Sequence, residues 1–148
     1  MNKYIYKTVL SILLLISTNT SAQIIDSTWA PISYQEKLVY IDLSEISSFT
    51  GEEIFVWTME NHSEPLIIET MEKEVYKTKT YYLLNKKLRK YSLKEVIYFD
   101  EDNNVLEDFT YDAISNDPEY RYSYPIFDGS LADLILQRCI REIESKSK

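Results

Sequence analysis

From Thr28 onward, apolar and polar residues mostly alternate one by one, and only near the end of the chain does the spacing change to threes and fours. Single-residue alternation is the signature of strands with one buried face. Trp29 opens the first such stretch, and Pro31 within it points to an edge. Lys37 to Asp42 is a short β-rich run, and the polar connection Ser44 to Gly51 holds Ile46 and Phe49 as plugs for a satellite core. Glu52 to Met59 is the most apolar strand: Ile54, Val56 and Thr58 face one way, Phe55, Trp57 and Met59 the other. Apolar groups on both faces predict a central strand covered on both sides, or by a helix on one side and a partner on the other. Asn61 to Glu72 breaks the pattern at Pro65 and reads as a loop carrying the apolar trio Leu66, Ile67 and Ile68.

Glu74 to Leu84 resumes the alternation, with Tyr76, Thr78, Thr80, Tyr82 and Leu84 predicted inside and the face bearing Lys77 and Lys79 predicted wet. Asn85-Lys86-Lys87 is a turn, and Leu88 to Asp100 a second long strand. In that strand Tyr91, Leu93, Ile97 and Phe99 oppose Lys90, Ser92, Val96 and Tyr98. Asp100 to Asn104 has hairpin composition. Val105 to Ala113 returns as a strand, Ser115 to Glu119 is a loop around Pro118, and Tyr120 to Phe127 is a last extended piece.

Gly129 to Ile143 is the one clear helix. Leu131, Leu134, Ile135, Cys139 and Ile143 share a face, Ser130 is a good N-cap, and Asp133 completes a capping-box-like start. A greasy-faced helix and a greasy-faced sheet each need the other. The predicted fold is therefore α+β: an antiparallel meander of about five to seven strands with one C-terminal amphipathic helix packed on one face.

The N-terminus adds an address. Lys3 and Lys7 precede the apolar run Val9 to Ile16, and Thr20-Ser21-Ala22 offers a cleavage site before Gln23. Residues 1–22 thus read as a signal peptide too short in its apolar part to span a bilayer, which needs about 20 residues. Residues 23–148 form a single domain, without a lipoprotein cysteine near the cleavage site. The expected destination is the periplasm, the cell surface or the medium. The net charge of −8 becomes −10 once the two lysines are removed, which argues against nucleic acid or anionic lipid as main partner. Cys139 is the lone cysteine; it makes no internal disulfide and is expected buried on the helix face, while a homodimer bridged through it stays open.

Candidate chemistry is sparse. His62 is the only histidine, which leaves no multi-histidine metal site within one chain, and its polar surroundings predict a solvated surface residue rather than a catalytic one. Asp100, Asp102, Asn104 and Glu107 have calcium-like spacing but lack the glycine such a loop bends on, so a solvated turn is the expectation. Two glycines in the whole chain leave no phosphate-cradling loop. No cofactor, metal or catalytic residue is assigned. The 13 tyrosines are the remaining feature. Tyrosine fills half-exposed strands well, yet it also supplies contact area at low entropic cost. Tyr120, Arg121, Tyr122 and Tyr124, together with Trp57 if its face is uncovered, are the candidate recognition residues, and Lys86, Lys87 and Arg89 with Lys90 form a basic cluster on an acidic protein.

Several landmarks together resemble the surface-adhesin protein E family of bacterial exported proteins. They are Trp29; Tyr40-Ile41-Asp42 before Ser47; Gly51 ahead of Val56-Trp57; the tyrosine-rich Val75 to Leu84; the basic Lys86 to Lys90; Tyr98-Phe99-Asp100 with Asn103-Asn104; and a proline followed by Gly-Ser leading into a cysteine-bearing helix. The resemblance covers about Thr28 to Ile143. It implies a sheet carrying the terminal helix, with dimerisation open, and a surface role in binding other macromolecules. In the family pattern the helix cysteine pairs with one on a middle strand; here the matching position near Leu83–Leu84 has none, so an apolar contact stands in its place. The expected function is a non-enzymatic binding or adhesion module that recognises a protein or glycan through a tyrosine-rich sheet face. The alternative is a periplasmic interaction or inhibitor protein acting on another bacterial protein.

Overall fold

The computed structural model describes residues 28–44, 46, 51–69, 73–111 and 121–147. The proposed signal peptide, Phe49, Ala113, the loop around Pro118 and Tyr120 lie outside them. Among the described residues seven strands and one helix follow in order: β1 Trp29–Tyr34, β2 Lys37–Asp42, β3 Glu53–Ile67, β4 Glu74–Asn85, β5 Lys90–Phe99, β6 Val105–Thr110, β7 Tyr124–Pro125 and α1 Leu131–Lys146. β1 to β6 form an antiparallel meander in chain order, and the short β7 pairs with β5 at Lys90 and Tyr91, beyond the end of β6. The α+β architecture with a terminal helix is the one the periodicities predict.

Register puts Ile54 opposite Leu84, Val56 opposite Tyr82 and Thr58 opposite both Thr80 and Ile41, so these residues share a face. That face receives α1: Ile41, Ile54, Val56 and Leu84 join Ile126, Ala132, Ile135, Leu136 and Cys139 in one buried cluster. Cys139 and Leu84 belong to the same buried cluster. Ile46, expected in a satellite core, belongs to this main one. Burying a side chain the size of Leu or Ile stabilises by roughly 1.5–3 kcal/mol, so this cluster is what binds helix to sheet.

The helix start is fixed by polar side chains. Ser130 Oγ accepts from the Asp133 amide at 3.2 Å, and the Asp133 carboxylate accepts from the Gly129 amide at 3.0 Å and from Gln137 Nε2 at 2.8 Å. Gly129 has φ +74°, a left-handed conformation that glycine adopts without steric cost. Arg89 donates to Asp133 at 3.0 Å and to Asp128 at 2.7 Å, tying the β4–β5 turn to the helix.

Three features depart from the strand pattern. β3 continues through Pro65 to Ile67 where a loop is expected, because a wide irregularity lets Leu66 rejoin Val75 after Asn61 pairs with Lys77. Next, β5 carries a bulge at Lys94: Tyr82 pairs with Leu93 but Tyr81 with Glu95. An extra residue reverses the alternation beyond it. Tyr91 and Leu93 therefore share the helix face with Val96 and Tyr98, while Ile97 and Phe99 go with Ser92. Finally, the Lys77/Lys79 face is wet only in part: both lysines are half-buried, and Val75 and Leu83 on the same side are fully buried.

Candidate binding surfaces

The face of the sheet turned away from α1 divides into a closed end and an open one. At the closed end lie Glu53, Asn85, Leu83 and Ser92, covered by residues 121–123. Ser92 Oγ donates to the Arg121 carbonyl at 2.9 Å and accepts from the Ser123 amide at 2.8 Å. The Tyr122 hydroxyl accepts from Asn85 Nδ2 at 3.0 Å and donates to the Glu53 carboxylate, which also pairs with Arg121 at 3.2 Å. Asn85 Oδ1 in turn accepts from the Lys87 and Leu88 amides at 3.0 and 2.8 Å, closing the β4–β5 turn.

The open end is built from three central strands and one edge. Phe55 and Trp57 project from β3, Tyr81, Lys79 and Lys77 from β4, Ile97 and Phe99 from β5, and Trp29 from β1. Alternation puts them on one side, and pairing brings them together: Trp57 opposes Tyr81, Lys79 opposes Ile97 and Lys77 opposes Phe99. The Trp57 and Tyr81 rings stack at 4.8 Å between centroids, and Phe55 leans on Tyr81 at 6.0 Å. Lys77 Nζ sits 4.3 Å from the Phe99 centroid and Lys79 Nζ 5.4 Å from that of Trp29. Such cation–π placements hold the lysine charges against the rings, and the register puts Glu95 opposite Tyr81 and Asp108 opposite Ile97 on the same face. Among the described residues neither lysine forms an ion pair; Lys77 donates to Asn103 Oδ1. Burial and the neighbouring Lys79 charge lower the Lys77 ammonium below its ordinary pKa. Phe55 remains 37% exposed. Trp57, Tyr81, Lys77, Lys79, Ile97, Phe99 and Trp29 are half-buried.

The candidate residues read from the sequence do not gather at one place. Tyr122 is 6% exposed and held by hydrogen bonds, so it offers no ring to a ligand. Tyr124 is 49% exposed but sits beside Tyr91 on the helix side of the sheet, opposite Tyr122. The chain leaves β alternation between them, which is why spacing misplaces the pair. Arg89 is committed to Asp128 and Asp133 and Arg121 to Glu53. Lys86 and Lys87 stand exposed on the β4–β5 turn. Among the described candidates Trp57 alone occupies the open platform, and its companions Lys77, Lys79, Tyr81 and Phe99 are legible in the sequence only as members of alternating strands.

His62 is not the surface residue its neighbours in sequence predict. Its side chain is 4% exposed, sharing a hydrogen bond with Thr78 Oγ1 at 2.9 Å and lying 3.5 Å from Glu60, which pairs with Lys37 at 3.1 Å. Burial lowers its pKa, opposed by Glu60 and assisted by Lys37. A neutral imidazole satisfies both neighbours, with Nδ1 donating toward Glu60 and Nε2 accepting from Thr78. It borders an open hollow of about 550 Å³ between the start of β2 and the irregular stretch of β3. In the β5–β6 turn, Asp100 accepts from the Asn104 amide and side chain at 2.8 and 2.9 Å, which lowers its pKa, and Asn103 takes φ +65°. Its oxygens serve the turn itself. No group of three or more histidine, cysteine or acidic side chains converges as a metal site among the described residues, and no described helix is long and apolar enough to cross a membrane.

Fold and surface together define a small α+β protein, an antiparallel sheet with a helix on one face and an aromatic–cationic platform on the other. No family model, curated protein or solved structure matches the chain.

Proposed function

We propose that this chain is an exported, non-enzymatic binding or adhesion module of the bacterial surface or periplasm, and that it engages a protein or glycan through the helix-free face of its sheet. The observation that supports this reading is the open platform: stacked Trp57 and Tyr81 flanked by Lys77 and Lys79, neither in an ion pair among the described residues. Large rigid rings provide contact area without much rotamer entropy to lose, and they dominate binding energy wherever interfaces have been dissected. The two lysines favour acidic groups on the partner, a preference that the net charge of −8 makes local rather than global. The leader-like N-terminus and the resemblance to surface-adhesin proteins support export and a binding role.

The test combines location and capture. Amino-terminal sequencing of the exported form is expected to begin at Gln23, and fractionation separates surface from periplasm. The purified domain is then offered to host-matrix proteins, periplasmic extract and a glycan array. Trp57→Ala is expected to weaken any capture at least about tenfold, a hot-spot magnitude, with folding checked by circular dichroism. Capture that survives Trp57→Ala and Lys79→Glu alike rejects the platform.

A further inference from the structure

We infer that a second site, a cleft on the helix side of the sheet, takes a neutral sugar residue. Tyr34 from β1, Tyr82 from β4, Tyr91 from β5 and Tyr124 from β7 converge there with Phe127 and Ser130, around a half-open cleft of about 310 Å³. Four strands contribute one tyrosine each, including Tyr34 from the edge strand β1 and Tyr124 from β7, which lies off the meander beside β5, a gathering no local spacing produces. The Tyr91 ring lies 5.8 Å from Tyr82 at 45° and 5.2 Å from Tyr124 at 32°. The three rings therefore make a tilted wall rather than a flat stack. Phe127, 69% exposed, and Tyr124 border the open side. Exposed rings in a concave place carry an unspent apolar contribution, and pockets of this kind, apolar with a few polar tips, are where small molecules bind.

The chemistry of the lining selects the class. Phenols are its only titratable side chains, so a charged ligand would lose hydration without gaining a counter-charge. Burial pushes the Tyr82 phenol up to about 12 and raises that of Tyr91 as well, so both keep their protons and offer donors along with acceptors. A neutral sugar matches both demands. The C–H face of a pyranose sits against the electron-rich faces of tyrosine rings, and its hydroxyl rim meets phenolic oxygens. A volume near the lower end of ligand pockets, roughly 300–1,000 Å³, suits one small ligand rather than several residues of an extended peptide.

The site is separate from the Trp57 platform, and its test distinguishes the two. Glucose, galactose, N-acetylglucosamine and their common disaccharides are titrated against the protein and followed by tyrosine fluorescence and saturation-transfer NMR. At least one is expected to saturate with a dissociation constant on the order of 1 mM. Tyr124→Ala and Phe127→Ala, both at exposed positions and each checked for an unchanged unfolding midpoint, are expected to weaken it about tenfold. Tyr124→Phe keeps the ring and is expected to weaken it less, while Trp57→Ala leaves it unchanged. The inference is overturned if no neutral sugar saturates, if both cleft variants bind as the parent does, if a proline-rich decapeptide or glucuronate binds in preference, or if Trp57→Ala alone abolishes binding.

Discussion

Replacing Tyr122 with phenylalanine separates structure from recognition at a tyrosine whose spacing marks it as a binding residue. The ring stays and only the hydroxyl goes, so packing is preserved. That oxygen accepts from Asn85 Nδ2 at 3.0 Å and donates to Glu53. Asn85 is 7% exposed, and stranding a buried donor costs about 1–3 kcal/mol. Glu53 is partly exposed and keeps Arg121, so its share is small. The expected loss is therefore about 1–2 kcal/mol, most of it the unsatisfied amide. For a domain of this size that lowers the melting temperature by roughly 3–10 °C, measurable by circular dichroism and by the urea midpoint. Asn85→Ala should cost more, because its carbonyl oxygen also holds the Lys87 and Leu88 amides of the turn. Tyr124→Phe should change stability by less than about 0.5 kcal/mol, as exposed positions do. A Tyr122→Phe protein within about 0.5 kcal/mol of the parent, or an Asn85→Ala variant milder than it, would refute the assignment of this network as the clasp holding residues 121–123 on the sheet.

Three more outcomes follow from burial. His62 has a lowered pKa when folded, so the unfolded chain binds its proton more readily; stability should be fully present above the ordinary 6.5, fall as pH drops through the lowered folded value, and level off below it. His62→Gln should flatten the dependence of the unfolding midpoint on pH in that window, and an unchanged slope would sink the claim. Cys139 is buried and its thiol pushed up to about 12, mainly by desolvation; the native protein should resist maleimide labelling, react fully in urea, and run as a monomer on a non-reducing gel. Ile135→Ala, at a fully buried position between helix and sheet, should cost about 2–5 kcal/mol in urea unfolding, whereas Arg141→Ala on the exposed side should stay within about 0.5 kcal/mol.

Much of the fold is encoded locally, and much of the site is not. Alternation in Lys37–Asp42, in Ile54 to Thr58 and in Glu74 to Leu84 belongs to neighbouring residues, so it names strands and sorts the residues of β3 into two faces, without saying which of them the helix covers. Ser130, Asp133 and the spacing of Ile135, Cys139 and Ile143 likewise set the start and inner face of α1 within a few turns of chain. What long-range packing decided is of another kind. The bulge at Lys94 exchanges the faces of half of β5, and Pro65 is absorbed by an irregularity that needs β4 as its template. His62 is buried by Thr78, Glu60 and Lys37, and Tyr122 is drawn inside by Asn85. Tyr34, Tyr82, Tyr91 and Tyr124 meet because strands far apart in sequence share one sheet surface. A periodicity records which way a side chain points relative to its neighbours. It holds no information about which distant side chain comes to stand opposite, and that pairing is what makes a surface able to bind.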